Sequence, residues 1–267
     1  MPETSSAKIR IGVGGWNYAP WRGAFYPKGL AQDRELEFSS RKLTSIEIDS
    51  TYYGSKTPES FRKWRDATPD DFVFAVKGPR FATNRRTLAE AAPSIERFFS
   101  SGVTELKHKL GPVNWQFATT KRFDPDDFGA FLTLLPGSVG GLAIRHAVEV
   151  RNDSFRDPAF VALARERGVA VVIAGDSKYP QIAEVTAPFV YARIMGTVED
   201  EASGYSRDQL DLWAKRAKVW AAGGAPEGFD TAAPPAEALP REVFLYVISG
   251  FKARNPLAAM ALIERTG

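Results

Sequence analysis

Residues 45–53 read SIEIDSTYY, a run that alternates apolar and acidic residues and then becomes polar and aromatic. In an extended strand, Ile46 and Ile48 share one face, while Glu47 and Asp49 share the other. An isolated buried carboxylate is costly, so acidic side chains on the inner face of a sheet need partners. The run therefore predicts a strand with one apolar face and one charged face.

Seven further short runs rich in β-branched and aromatic residues occur along the chain. The eight predicted strands cover residues 8–14, 45–49, 72–77, 111–117, 142–151, 169–174, 189–194 and 242–248. Helical patterns lie between them, and four begin with a polar residue followed by proline, at Pro58, Pro125, Pro158 and Pro256. Eight strands that alternate with helices over about 250 residues predict an α/β fold, a single (β/α)8 TIM-like barrel.

The chain is expected to form one domain over residues 1–267, with a flexible tail at 1–7 and a loop rich in Pro, Gly and Ala at 223–240. That loop joins the seventh helix to the eighth strand, on the face of a barrel where residues serve stability. A dinucleotide-binding sheet is disfavoured, because the glycines after the first strand lack the G-x-G-x-x-G spacing and precede aromatic residues.

The composition excludes several kinds of chemistry. The chain has no Cys and two His, so it cannot form a disulfide, a thiolate metal site or a cysteine nucleophile. Its 35 Lys and Arg exceed its 32 Asp and Glu by three, which favours anionic ligands only weakly. The sequence contains neither a signal-peptide pattern nor an apolar run of about eighteen residues. We therefore expect a cytoplasmic protein without a membrane partner.

Polar side chains collect where the predicted strands end, and that rim carries the functional residues of a barrel. Three of them are candidates for proton transfer or nucleophilic chemistry: Glu47, Glu149 and Lys77. The candidates for ligand contacts are Trp16, Asp49, Thr51, Tyr52, Gln116, Arg151, Asp176, Arg193, Ser249, Lys252 and Arg254. Charges of both signs beside aromatic residues are typical of a concave site that orients a polar ligand.

The favoured function is binding or transformation of a small anionic or polyhydroxylated ligand, such as a sugar phosphate. The enzyme would be a hydrolase or an isomerase that uses carboxylate acid–base chemistry. Two alternatives stay open. Lys77, Arg80, Arg85 and Arg86 form an acid-free run after the third strand, which suits a protein that binds or processes nucleic acid. The strand-end charges also suit a non-catalytic barrel plugged by ion pairs.

Metal chemistry has little support in the sequence. His108 lies between two lysines that would repel a cation, and His146 has the opposite parity from the acidic residue of its strand. No cofactor or metal is predicted, and Mg²⁺ or Mn²⁺ held by carboxylate oxygens alone is the remaining alternative. The carboxylates available for it are Glu47, Asp49, Glu149 and Asp176. The substrate and the oligomeric state stay open.

Several of these residues stand in motifs that occur in a known family. The motifs are GGWNY at 14–18, EIDSTYY at 47–53, FAVK at 74–77, LGP at 110–112, EVR at 149–151 and YAR at 191–193. Together they resemble the family called domain of unknown function 72, also known as YecE-like. The resemblance implies a TIM-like barrel without a settled biochemical activity. The family-typical positions map to Glu47, Thr51, Tyr52, Lys77, Glu149, Arg151 and Arg193.

The chain departs from the family pattern at three positions where many relatives carry histidine. These positions hold Asn84, Asn152 and Met195. After the eighth strand, residues 249–252 read SGFK where relatives have Asn-Asn-Asp, which is typical of a divergent branch. A mechanism that uses those histidines, or a metal bound by them, is therefore not expected here.

Overall fold

The structure, a computed structural model, describes residues 7–267, so the predicted tail at 1–7 lies outside the described residues except for Ala7. The strands are β1 (Ile9–Gly14), β2 (Ser45–Ile48), β3 (Val73–Lys77), β4 (Leu110–Gln116), β5 (Ser138–Val139), β6 (Leu142–Ala143), β7 (His146–Glu149), β8 (Ala170–Val171), β9 (Ile173–Gly175), β10 (Phe189–Ile194) and β11 (Glu242–Val247). Each of the eight predicted segments contains strand structure.

Nine of these strands form a parallel barrel. In hydrogen-bonding order they run β8-β7-β4-β3-β2-β1-β11-β10-β9. The end strands β8 and β9 belong to one chain segment, residues 170–175, which is interrupted at Val172. Because β8 pairs with β7 and β9 pairs with β10, this segment closes the sheet. The predicted TIM-like (β/α)8 barrel is therefore confirmed.

The predicted strand at residues 142–151 is wrong in its extent. β5 and β6 pair as a short antiparallel hairpin, and only β7 belongs to the barrel. Arg145 and Arg151 therefore flank β7 instead of lying within it. Arg145 donates a 2.6 Å hydrogen bond to Glu242 at the start of β11, whereas Arg151 follows the carboxyl end of β7.

The helices within the described residues are α1 (Glu35–Ser40), α2 (Pro58–Asp66), α3 (Arg80–Thr83), α4 (Ala92–Ser100), α5 (Pro125–Thr133), α6 (Pro158–Glu166), α7 (Arg207–Ala221) and α8 (Asn255–Thr266). Side-chain oxygens of Thr57, Asp124 and Asp157 cap α2, α5 and α6, and each cap precedes a proline, as predicted. The prediction is wrong at the fourth helix start, because Asn255 is the first residue of α8 and its side chain does not cap the helix. Within residues 7–267, none of the helices has the length and apolar character needed to cross a bilayer.

One βα unit lacks its helix. Residues 176–188, all of them described, join β9 to β10 without an α-helix. The loop rich in Pro, Gly and Ala packs against this connection, where the backbone N–H of Ala233 donates to Glu184 Oε1 at 3.2 Å. Phe229 of the same loop stacks on Trp220 of α7 with ring centroids 5.8 Å apart. The loop thus covers the barrel where a helix is missing.

Inside the barrel, layers of aromatic rings lie between charged groups at both ends of the strands, and Glu242 with Arg10 and Arg145 forms the charged group at the strand starts. Phe189 and Phe244 pack edge to face near the starts of β10 and β11, with ring centroids 6.0 Å apart. Tyr191 and Tyr246 follow two residues later on each strand, and both are fully buried. Arg193 comes two residues after Tyr191, so the period-two alternation of β10 carries a charge toward the carboxyl end of the barrel.

Candidate functional site

A buried ion-pair cluster lies at the carboxyl ends of the strands. Arg193 on β10 donates from Nη2 to Glu47 Oε1 on β2 at 2.9 Å, and from Nη1 to Glu149 Oε2 on β7. Glu47 and Glu149 are fully buried, and Arg193 is nearly so. One guanidinium therefore joins two carboxylates from strands three positions apart in the sheet, and this is the network that the non-catalytic alternative requires.

Glu149 is held in its ionised form. Its Oε1 accepts a 2.7 Å hydrogen bond from Nε of Arg151, whose guanidinium also lies 4.3 Å from the centre of the Tyr179 ring. Burial alone would raise the pKa of Glu149, but the charges of Arg193, Arg151 and Lys77 outweigh it and lower the pKa to about 2. A carboxylate of this acidity is a weak base at neutral pH.

Two further residues bind Glu47, and neither was among the predicted site residues. Tyr191 Oη and Asn114 Nδ2 both donate to Glu47 Oε2, the latter at 3.1 Å. Burial and the neighbouring Glu47 carboxylate raise the pKa of Tyr191. The sequence could have indicated both residues, because residues two positions apart on a strand share a face. Asn114 precedes Gln116 by two positions, and Tyr191 precedes Arg193 by two.

Lys77, at the end of β3, lies beside this cluster but is not paired with a carboxylate of it. Its Nζ donates to Gln116 Oε1 at 2.5 Å and lies 4.6 Å from the centre of the Tyr52 ring. Thr51 Oγ1 donates to the Lys77 carbonyl at 2.7 Å and so fixes the backbone there. Burial, with a contribution from Arg193, lowers the pKa of Lys77 to about 8.

A cavity of about 660 Å³ opens beside the ends of β1 and β2. Aromatic side chains from the loop after β1 and from α2 line it together with charged groups of both signs. The aromatic and charged lining side chains include Trp16, Tyr18, Trp64, Asp49, Lys63 and Lys252. The cavity has a volume suited to a small-molecule ligand and combines apolar walls with a few polar groups.

Contacts among the lining residues fix the cavity walls. The rings of Trp16 and Trp64 pack edge to face with centroids 5.2 Å apart. Lys252 Nζ lies 4.5 Å from the centre of the Tyr18 ring. Burial raises the pKa of Asp49, and the negative charge of Glu47 raises it further. Asp49 is therefore the predicted site residue that both lines the cavity and borders the ion-pair cluster.

Three predicted ligand contacts lie in other environments. Asp176 Oδ2 accepts a 2.7 Å hydrogen bond from Trp213 Nε1 of α7. The Ser249 carbonyl accepts from Nδ2 of Asn255 at 3.2 Å, at the start of α8. Arg254 is the N-cap residue of α8. None of these three residues lines the cavity beside the ends of β1 and β2.

The three positions at which the resemblance implies histidine have local roles here. Asn152 caps a short 3₁₀ turn by accepting from the Ser154 backbone N–H at 3.1 Å. Met195 is buried after β10, and Asn84 ends α3 at the surface.

Within residues 7–267, no group of three or more His or acidic side chains is placed to hold a metal ion. His146 accepts from Trp115 Nε1 at 3.1 Å in the core, and burial lowers its pKa to about 4.

The basic run after β3 separates into side chains with different contacts. Arg80 is exposed, and its guanidinium lies 5.9 Å from the Tyr53 ring centre and 5.4 Å from that of Phe81. Arg85 turns back and donates to the Phe81 carbonyl at 3.0 Å and to Ser94 Oγ at 3.1 Å. Within this run, Arg80 is therefore flanked by two aromatic rings, whereas Arg85 is fixed by its hydrogen bonds to neighbouring residues.

The fold and the site define a TIM-like barrel protein with a charged cluster at its carboxyl end and a ligand-sized cavity beside it. The chain belongs to the DUF72 family, described as "protein of unknown function DUF72", whose model matches residues 10–267. The resemblance inferred from the sequence motifs is therefore confirmed.

Known proteins that are similar to this chain in sequence or in structure support the family assignment and the barrel fold. The protein YecE of Escherichia coli strain K12 is 28% identical over 150 residues, which is 55% of this chain and 50% of YecE. The chain spans about half the length of the curated relatives it matches. A DUF72 family protein from Thermotoga maritima superposes with a TM-score of 0.72 at 18% identity, over 96% of this chain and 98% of that one. A D-psicose 3-epimerase crystallised in the presence of D-fructose has a TM-score of 0.50 at 12% identity, over 96% and 95% of the two chains.

Proposed function

We propose that the protein binds a small anionic, polyhydroxylated ligand of the sugar-phosphate class at the carboxyl end of its barrel. One observation carries this proposal: the 660 Å³ cavity combines aromatic walls with Asp49, Lys63 and Lys252. Indole and phenol rings suit the apolar faces of a sugar, lysines suit a phosphate, and a carboxylate accepts hydrogen bonds from hydroxyl groups.

The charged cluster is assigned a supporting role in this proposal. Arg193 forms ion pairs with both Glu47 and Glu149. These two carboxylates therefore hold the strand ends together and keep their negative charges, and they do not transfer protons. Asp49 is the acid–base candidate, because its pKa is raised by burial and by Glu47, and it lines the cavity. A hydrolase or isomerase that uses a carboxylate would therefore use Asp49.

Calorimetry with matched compounds tests the proposal. Ribose phosphate is compared with ribose and with inorganic phosphate, using wild type and the variants Asp49→Asn and Lys252→Ala. The variant Lys215→Ala is the control, because this exposed lysine lies on α7 and does not line the cavity. We expect ribose phosphate to bind the control as it binds wild type, and at least tenfold more weakly to the two cavity variants. Equal binding to all four proteins, or no binding to any of a panel of sugar phosphates, would contradict the proposal.

A second candidate function, nucleic-acid binding, is favoured by the surface around Arg80. Tyr53 and Phe81 are 67% and 58% exposed, and both rings flank the Arg80 guanidinium. Exposed rings next to a cation suit stacking against single-stranded bases. This function predicts retention of single-stranded DNA that falls steeply with salt and is lost in Arg80→Ala. Retention that salt leaves unchanged would count against it.

A further inference from the structure

Two lysines are buried within the described residues, and their contacts differ. Lys109 is 4% exposed and its Nζ donates to three oxygens: the carbonyls of Arg65 at 2.7 Å and Thr68 at 2.8 Å, and Thr68 Oγ1 at 3.3 Å. Lys77 is 7% exposed, and its Nζ donates to a single oxygen, Gln116 Oε1. An ammonium group has three donors, so Lys109 is saturated and Lys77 is not.

The nearby carboxylates do not pair with Lys77. Both Glu47 and Glu149 are engaged by Arg193, and within residues 7–267 Lys77 forms no ion pair. A buried amine beside a guanidinium and without a carboxylate partner favours its neutral form. With a pKa of about 8, roughly a tenth of Lys77 is neutral at pH 7, against roughly 0.03% for an ordinary lysine. A neutral lysine amine at the end of a barrel strand is a nucleophile.

We propose that Lys77 forms an imine with the carbonyl group of an open-chain sugar phosphate bound at the barrel rim. The inference rests on the proposed function and specifies the ligand as an aldose or ketose phosphate. Lys77 does not itself line the cavity, so the inference requires the carbonyl end of the ligand to extend past Asp49 to the end of β3. It follows from the position of Nζ at the end of β3, with one hydrogen bond to Gln116, an aromatic ring beneath it and two donor positions unused. The hydrogen bond from one N–H leaves the nitrogen lone pair available.

The step balances without an oxidant or a reductant. The lone pair of Nζ attacks the carbonyl carbon, and the carbonyl oxygen takes up a proton to give a carbinolamine. The C–O bond then breaks, a second proton joins the leaving oxygen, and one water is released as the C=N bond forms. Both protons come from the amine nitrogen, so amine plus carbonyl gives imine plus water.

The neutral imine then takes up one proton from solvent water to give the protonated imine. The positive charge of this imine would replace the ammonium charge 4.6 Å from the Tyr52 ring centre, where a cation is favourable. The charges of Glu47 and Glu149 act on the same nitrogen and favour its cationic form. The charge of Lys77 also acts on Asp49, where it opposes the rise in the pKa of that carboxyl group. Tyr52 is therefore the positioning residue for this step.

Reductive trapping tests the inference. Wild-type protein is incubated with dihydroxyacetone phosphate and sodium cyanoborohydride, and the modified lysine is located by peptide mass mapping. Glycerol phosphate, which has the same phosphate but no carbonyl, is the ligand control. Lys109 is the internal control for a buried lysine and Lys215 for an exposed one. We expect labelling of Lys77 at least tenfold above that of either lysine, and none with glycerol phosphate.

Binding measurements separate this inference from the proposed function. Calorimetry compares dihydroxyacetone phosphate with glycerol phosphate on wild type and on Lys77→Arg, which keeps the charge but cannot form the imine. Binding of both compounds without preferential labelling of Lys77 would overturn the imine and leave the proposed function standing. Absence of both binding and labelling would overturn both. If Lys77→Arg does not fold, the wild-type labelling pattern alone decides.

Discussion

The most informative perturbation of the charged cluster is Glu149→Gln. The pKa of Glu149 is lowered to about 2 from an ordinary value of 4.5, which corresponds to about 3 kcal/mol of stability at pH 7. Loss of one partner from a buried ion pair in other proteins costs a similar amount, about 3–5 kcal/mol, because the remaining charge is left buried without compensation. We therefore expect Glu149→Gln to lower the free energy of unfolding by about 3 kcal/mol at pH 7.

The sign of the pH dependence follows from the direction of the shift. A carboxylate whose pKa is lower in the folded state stabilises the fold above its unfolded pKa and loses that contribution as the pH falls. The difference between wild type and Glu149→Gln is therefore constant near neutral pH and shrinks below about pH 4.5, to about 2 kcal/mol at pH 3.5.

Urea unfolding followed by circular dichroism measures this difference at pH 7, 4.5 and 3.5. Asp66→Asn is the control, because Asp66 pairs with Arg65 at the surface and its side chain is 64% exposed. We expect little change from this control at any pH. A loss below 1 kcal/mol for Glu149→Gln at pH 7, or a loss that grows as the pH falls, would refute the proposed pairing of Glu149.

Three other predictions follow from local geometry. Gly12→Ala should abolish soluble folded protein, because a Cβ would lie 1.8 Å from the Ser45 carbonyl oxygen, whereas Gly137→Ala, with open space around it, should express normally. Phe229→Ala should cost about 2–3 kcal/mol in urea unfolding, because it leaves Trp220 uncovered; an unchanged midpoint would show that the loop does not brace the barrel. The Asp49 carboxyl carbon should titrate by NMR above its ordinary pKa of 3.8, and Glu47→Gln should lower that midpoint; a wild-type midpoint at or below 3.8 would contradict the raised pKa.

Much of the fold is encoded locally. The alternation at Ile46 and Glu47 and the proline-led helix starts depend on neighbouring residues only, so strand and helix positions follow from the sequence. The extent of β7 does not, because the hairpin of β5 and β6 is held by pairing between two short segments. The interruption of the sixth strand at Val172 likewise depends on which neighbour each half meets.

The site is predictable only in part for a similar reason. Strand ends meet at one rim, so Glu47, Glu149 and Arg193 could be grouped from the sequence. The sequence does not show that Arg193 binds both glutamates, because that depends on distances across the barrel. This pairing makes Asp49 the acid–base candidate in place of Glu47 and Glu149. The cavity also needs Trp64, which lies on α2 and meets Trp16 only after the helix packs.

The central claim is that the cavity beside β1 and β2 holds a sugar phosphate, and a crystal structure of the protein with ribose phosphate tests it most directly. We predict electron density for the sugar between Trp16 and Trp64, with the phosphate against Lys63 or Lys252 and a hydroxyl group on Asp49. Density at another place on the protein, or an empty cavity at a concentration that saturates binding in calorimetry, would contradict the account.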